Sequence, residues 1–270
     1  MAQTERPLVS VAMGVCCRRP DTALLERAVD SILCQTMPDF EFLICEYGSA
    51  PAAVEYLQRA AARDKRIRLL SGRSPGTLSQ NLNDCLSAAR GTYIARMDDD
   101  DWSAPDRFAK QLAFLREHGE IAFVGCDARL VRSGETVGER RFPALPRVED
   151  FYMVQPYLHP TLMFRREALL AVGGYSEADS VLLCEDYDLL LRLYAQGAQG
   201  ANLQEQLLDY TVPETARGSR RMPHRWNEAV TRYRRFRELG RLPKALPFVV
   251  KPLAVGLLPE PLLRRIKRMR

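Results

Sequence analysis

Four consecutive aspartates, Asp98, Asp99, Asp100 and Asp101, stand in the stretch YIARMDDDDW, directly after a strand-like apolar run. Carboxylates this close repel one another. A fold keeps them together when a cation, or a ligand carrying one, sits among them, or when the loop is fully solvated. A second acidic group, Glu185, Asp186 and Asp188 in CEDYDLLLR, falls in the first turn of an expected helix, where the helix dipole alone favours acids. A third acid, Glu46, ends the run FEFLICE.

The elements that must position these groups read as an alternation. LVSVAMGVCC at 8–17 is a continuous valine-rich run and predicts a buried parallel strand. Leu24, Leu25, Ala28, Val29, Ile32 and Leu33 recur at helical spacing, with Asp21 or Thr22 as the cap. FEFLICE at 40–46 predicts the next strand, AAVEYLQRAAARD a second helix and RIRLL at 66–70 a short strand. TLSQNLNDCLSAARG predicts a third helix with Gly91 as its C-cap, and TYIARM at 92–97 the strand that delivers the aspartates. Strand and helix in strict alternation imply right-handed crossovers and a mostly parallel, doubly wound α/β sheet. In such sheets ligands bind beyond the carboxyl ends of the strands, where Glu46 and Asp98 to Asp101 both fall.

Beyond Trp102 the pattern predicts a helix over PDRFAKQLAFLREHG and two strands joined at Ser133–Gly134, a small second sheet. A strand and short helix follow in PTLMFRREALLAVGGY. The acid-headed helix and a last strand, NLQEQLLDYTV, end the body.

The 270 residues are 46% apolar, enough for a sizeable core. Seven cysteines, an odd number without CxxC spacing, argue for reduced, buried thiols rather than disulfides or zinc. The opening MAQTERPLVS predicts no signal peptide, and the longest apolar window, 245–258, is broken by Lys251 and two prolines. These readings point to a cytoplasmic protein. The net charge of +5 is uneven: residues 217–270 hold 16 Lys and Arg against three acids, a net +13, which leaves −8 on the first 216 residues. A basic tail on an acidic body implies an anionic partner. Lacking any recognition motif, the tail excludes nucleic acid. It fits an amphipathic anchor at the inner face of the cell membrane, or a helix packed on the body with a solvated basic face.

The blocks YIARMDDDDWSAPDRFAKQLAFLREHGEIAFVG, HPTLMFRREALLAVGGY, EDYDLLLRLYAQG and ANLQEQLLDYTV, in this order, resemble the family 2 glycosyltransferases of bacteria, which have the GT-A fold. The resemblance covers about residues 8–216. It implies a catalytic domain over 1–216, with a nucleotide-binding half at 1–101 and an acceptor half at 102–216, followed by the tail. It further implies transfer of one sugar from a nucleotide-diphosphate sugar, UDP- or dTDP-linked, to a hydroxyl of a glycan or lipid-linked acceptor. A chain that only bound its ligand would keep the aspartates but have no use for the second acidic group.

Resemblance also assigns roles. The aspartates become a DxD motif, with Asp98 and Asp99 toward the nucleotide sugar and Asp98 and Asp100 holding Mn2+ or Mg2+, hard cations that suit oxygen ligands. Asp186 becomes the base that takes the acceptor proton, with Glu185 as acceptor contact or alternative base. Glu46 and Asn83 face the nucleotide; Gly14 and Val15 line its base through backbone atoms, since GVCC lacks the family's usual aromatic there. Trp102 and His159 stand at the donor–acceptor junction. The family's histidine after the last strand is replaced by Pro213, and the QxxRW block of polymerising members is absent, which implies single-sugar addition.

Overall fold

The computed structural model describes residues 6–18, 20–73, 76–213 and 222–257. The chain runs β1 (Val9–Val15), α1 (Ala23–Leu33), β2 (Phe40–Glu46), α2 (Pro51–Arg63), β3 (Ile67–Ser71), α3 (Leu78–Ala88), β4 (Tyr93–Arg96) and the two-residue β5 (Trp102–Ser103). It continues through α4 (Arg107–Glu117), β6 (Ile121–Arg132), β7 (Glu135–Arg140), β8 (Met163–Arg165), α5 (Arg166–Ala171), α6 (Glu185–Ala195), β9 (Gln199–Thr211), α7 (Met222–Glu238) and α8 (Leu242–Leu257).

One sheet has the order β3-β2-β1-β4-β8-β6-β9-β5, with β7 paired to β6. The first four strands are parallel, as crossovers through α1, α2 and α3 require. From β8 onward parallel and antiparallel pairs mix: β8 runs antiparallel to both β4 and β6, while β6 and β9 are parallel. The small second sheet expected from the β6–β7 hairpin does not stand apart. β6 pairs with both β7 and β8, so the hairpin extends the one sheet. Ser133 and Gly134 make its turn at φ 50° and 84°, left-handed values that two-residue hairpins demand.

β1 is buried along its whole length, which explains its unbroken apolar sequence. Val9, Val11, Met13 and Val15 point to one face and pack with Leu25, Ala28, Val29 and Ile32 of α1. Ala12 points to the other face, where Leu82, Cys85 and Leu86 of α3 meet Leu189, Leu190 and Leu193 of α6.

α3 opens with a capping box between Thr77 and Gln80. Gly91 is not its C-cap. The helix ends at Ala88 and leaves through an extended Ala89. Gly91 is needed for close approach instead: a Cβ there would lie 2.6 Å from the Ser10 amide nitrogen.

Much of the segment set apart as a tail belongs to the body. Phe236 of α7 is fully buried, and Arg235 pairs at 2.7 Å with Asp188, itself buried in α6. The Arg232 guanidinium donates to the carbonyls of Phe151 and Tyr152, and Phe248 of α8 stacks on Tyr152. The tail's ends, 217–221 and 258–270, lie outside the described residues.

Candidate active site

β4 ends at Arg96, paired in register with Ala12, so β1 runs on for three more residues beside the acidic loop. There the Cys16 amide donates to Asp99 Oδ2 at 3.3 Å. From the other side the end of β9 closes on the loop: the Thr211 amide donates to Asp101 Oδ1 at 2.8 Å, and its hydroxyl donates to the Asp100 carbonyl. Two strand ends thus hold the aspartates in place.

Asp98, Asp100 and Asp101 each bring a carboxylate oxygen within 4.8 Å of the others. Asp101 is fully buried, and its Oδ2 has no partner. Burial, then the charges of Asp98 and Asp100, push its carboxyl well above the usual range. Burial and Asp98 raise Asp99 in the same way. An inward-facing, unsatisfied acceptor beside two more carboxylates fits a hard divalent cation, whose charge would relieve that repulsion. Asp101 was not among the ligands expected from sequence; the structure brings its carboxylate beside those of Asp98 and Asp100.

Beneath the loop lies Arg96, 1% exposed and paired to Asp98. Arg107 of α4 is equally buried and donates to the carbonyls of Arg96 and Pro160, joining β4 to the turn that holds His159. Neither arginine announced itself in the sequence, since each sits in an otherwise ordinary element.

The second acidic group opens α6. Leu183, two residues before it, adopts φ 65°, a left-handed backbone rare for a branched side chain. Asp186 accepts from the Tyr187 amide through Oδ1 at 2.7 Å and from Gln155 Nε2 through Oδ2 at 2.9 Å. Glu185 Oε2 is buried without a partner, and burial raises the carboxyl. Asp188 is committed elsewhere, to Arg192 and Arg235.

Charges of both acidic groups reach Tyr175. Burial raises the Tyr175 hydroxyl against the opposing pull of Arg96, while Asp186, Glu185 and Asp98 all add to the rise. That hydroxyl lies 2.8 Å from His159 Nε2. Burial, then Arg96, lowers the His159 pKa well below its ordinary value, so the ring is neutral near pH 7.

Other expected residues are distributed unevenly. Gly14 lies at the strand end, where a Cβ would press within 2.9 Å of Leu78. Val15 offers little: its side chain is in the core, and its carbonyl accepts from the Tyr47 amide at 3.0 Å. Glu46 turns back, accepting from the Ser49 amide through Oε1 at 2.7 Å. Trp102 pairs with Asp209 on β9, next to the aspartates.

Asn83 does not face the strand ends. Its amide brackets Tyr175, donating to the carbonyl and accepting from the amide, both at 2.9 Å, and also donates to Glu177. Asn81, two residues earlier and fully buried, occupies the strand-end position, with Oδ1 accepting from Cys45 Sγ at 3.1 Å. A Cβ on Gly72 would fall 2.0 Å from that oxygen. Helical spacing held the signal, since Asn81 shares a face with Leu78, Leu82 and Cys85.

The sequence profile of Glycosyl transferase family 2 matches residues 12–173. The chain belongs to this family. As a family 2 glycosyltransferase it is similar to the putative glycosyltransferase EpsE of Bacillus subtilis, with 32% identity over 266 residues, covering 98% of this chain and 94% of the relative. It is also 32% identical over 210 residues to the O-antigen biosynthesis glycosyltransferase WbnJ of Escherichia coli, covering 76% and 80% of the two chains. Among solved structures, S. aureus TarS in complex with UDP-GlcNAc superposes with a TM-score of 0.68 at 17% identity, over 90% of this chain and 73% of that one. The mannosyltransferase PcManGT from Pyrobaculum calidifontis, in complex with GDP-Man and Mn2+, gives 0.62 at 18% identity over 98% and 80%. The fold is GT-A, and the chain is a glycosyltransferase.

Proposed function

We propose that this glycosyltransferase is inverting and metal-dependent, and that it moves one sugar from a nucleotide-diphosphate sugar to a hydroxyl of a glycan or lipid-linked acceptor in cell-surface polysaccharide assembly. One observation carries the reading: Asp98 of the first acidic group and Glu185 and Asp186 of the second, 88 residues apart from Asp98 to Asp186, all act electrostatically on the Tyr175 hydroxyl, which is bonded to His159 at 2.8 Å. The O-antigen role in the name of WbnJ supports the polysaccharide setting.

Asp98, Asp100 and Asp101 supply the ligands for Mn2+ or Mg2+. When bound, the cation offsets the negative charge that builds on the departing diphosphate. Donor binding falls to the half before residue 102, with Gly14 and Asn81 at the base end and Asp99 toward the sugar. Glu46 and Tyr47 border this end. Acceptor binding falls to residues 102–216, where Trp102 and His159 flank the junction.

Asp186 is the base, removing the proton from the acceptor hydroxyl as its oxygen attacks the anomeric carbon. Its two hydrogen bonds fix the carboxylate in one orientation. One base on one face implies direct displacement with inversion; no carboxylate is nominated as a nucleophile on the other face.

A lipid-linked acceptor suits the surface beside this half. α7 and α8 expose Trp226 at 60% and Leu257 at 78%, and Met153 and Val154 are exposed on the loop leading to Gln155. Lys251 Nζ reaches the Met153 carbonyl at 2.8 Å, which links α8 to that loop. The net +13 over 217–270 favours the anionic inner leaflet as a peripheral contact. No helix among the described residues is long and apolar enough to cross a membrane.

The test is nucleotide release from a panel of UDP-, dTDP- and GDP-sugars with Mn2+ and with excess chelator. Release from at least one donor, abolished by chelation, is the expected result. Release from none, or release indifferent to chelation, contradicts the reading.

A further inference from the structure

We propose that Gln155 is a positioning residue for this transfer: its amide nitrogen holds Asp186, and its amide oxygen receives a hydroxyl of the acceptor next to the one that reacts. The inference rests on the reading of Asp186 as the base.

Gln155 Nε2 lies 2.9 Å from Asp186 Oδ2 and 3.2 Å from the Tyr157 carbonyl oxygen. Both neighbours are acceptors, so chemistry dictates which end of the amide faces them: only the NH2 has hydrogens to give. Its Oε1 must then point away from both, and that oxygen is buried without a hydrogen-bond partner. Glu185 Oε2, next to Asp186 in sequence, is buried and unpartnered as well. Buried polar atoms are normally satisfied, and an exception beside a reactive group is a place where a ligand can supply the missing partner. Two unpartnered acceptor oxygens, one on the side chain bonded to Asp186 and one on its neighbour in sequence, suit a ligand rich in donors, which is what a sugar ring with free hydroxyls offers.

The support of Gln155 is firm. The carbonyl of the next residue, Pro156, accepts from Asn202 Nδ2 at 3.1 Å. Tyr157 is buried and shares a 2.7 Å hydroxyl contact with Tyr194, and His159 is fixed to Tyr175. A side chain carried on such a segment can set an orientation. Asp186 keeps lone pairs on both oxygens after its two bonds. The reacting hydroxyl donates its proton to one of them, its oxygen bonds to the anomeric carbon, and the bond from that carbon to the diphosphate oxygen breaks. The neighbouring acceptor hydroxyl donates to Gln155 Oε1 and sets the register.

The experiment uses the full chain, the donor chosen by nucleotide release, and octyl glycosides of glucose, galactose, mannose, rhamnose and N-acetylglucosamine as acceptors. Gln155→Met keeps the volume and removes both polar ends; Gln155→Ala removes the side chain. Gln155→Met is expected to lower kcat for transfer by about 10- to 100-fold and raise the acceptor KM at least about fivefold, with donor KM changed less than about twofold. Transfer should fall further than donor hydrolysis by water, because water has no second hydroxyl to place. Unchanged kcat and acceptor KM in Gln155→Met, with the wild type active, overturns this inference alone. A parallel rise in donor KM, or equal loss of transfer and hydrolysis, also overturns it. A wild type that turns over no donor with any acceptor overturns both readings.

Discussion

The Thr211 amide donates to Asp101 Oδ1 at 2.8 Å, so the last residue of β9 holds the last carboxylate of the acidic loop. The other oxygen of Asp101 is buried and unpartnered, and repulsion from Asp98 and Asp100 adds to the penalty of burial. Asp101→Asn keeps an oxygen for Thr211 and removes the charge. Its Mn2+ affinity should fall by about 10- to 100-fold, measured as free Mn2+ by electron paramagnetic resonance. Its metal-free stability at pH 7 should not fall and should rise, because a carboxyl whose folded pKa is raised favours unfolding once it is ionised.

Asp186→Asn should retain donor binding while turnover drops by about 10²- to 10⁴-fold, the range for losing a general base. Calorimetry with the donor and single-turnover nucleotide release separate the two. Equal loss in both would move Asp186 from the chemistry to donor binding.

Glu41 ties β2 to the start of β4. It is buried and accepts from the Ser10 hydroxyl, the Arg90 amide and the Arg68 and Arg90 guanidiniums. Burial alone would raise its pKa, but these four donors outweigh it and the net shift is downward. A depressed folded pKa contributes stability above the unfolded value of about 4.3, lost as pH falls through the folded value. Glu41→Gln should therefore cost about 2 kcal/mol at pH 7, discounted for the partly exposed arginines, and the gap to wild type should narrow below about pH 4. Urea unfolding at the two pH values reads it.

Phe236→Ala in α7 should destabilise the whole protein by about 3–5 kcal/mol, the usual cost of emptying a buried phenylalanine site. Circular dichroism and tryptophan fluorescence should report one coincident unfolding transition. A variant as stable as wild type would mean that α7 is an appendage.

Much of the half before residue 102 was legible because its strands are buried on both faces, which leaves continuous apolar runs such as FEFLICE, and its helices carry one apolar face each. The aspartates were legible because such a run delivers them. Long-range pairings were not. Arg232 and Arg235 read as solvated charge, yet Arg235 is neutralised by Asp188, 47 residues away in sequence. Asn81 and Asn83 are both polar and nearly adjacent; only the face they occupy separates them, and the apolar pattern of α3 already placed Asn81 inward. Gln155 lies in a loop without periodicity, so nothing local marks it as a partner of Asp186. β5 has two residues, too few to show a pattern, and the register of β9 beside it is what fixes Asp101.

The central claim is that the acidic loop holds the cation that carries the donor's diphosphate. It is tested most directly by a crystal of the protein soaked with Mn2+ and the nucleotide diphosphate, using the anomalous signal of manganese to locate the ion. The account predicts a peak within coordination distance of Asp100 and of Asp98 or Asp101, touching the diphosphate. A diphosphate bound at the strand ends with manganese away from all three aspartates would contradict it.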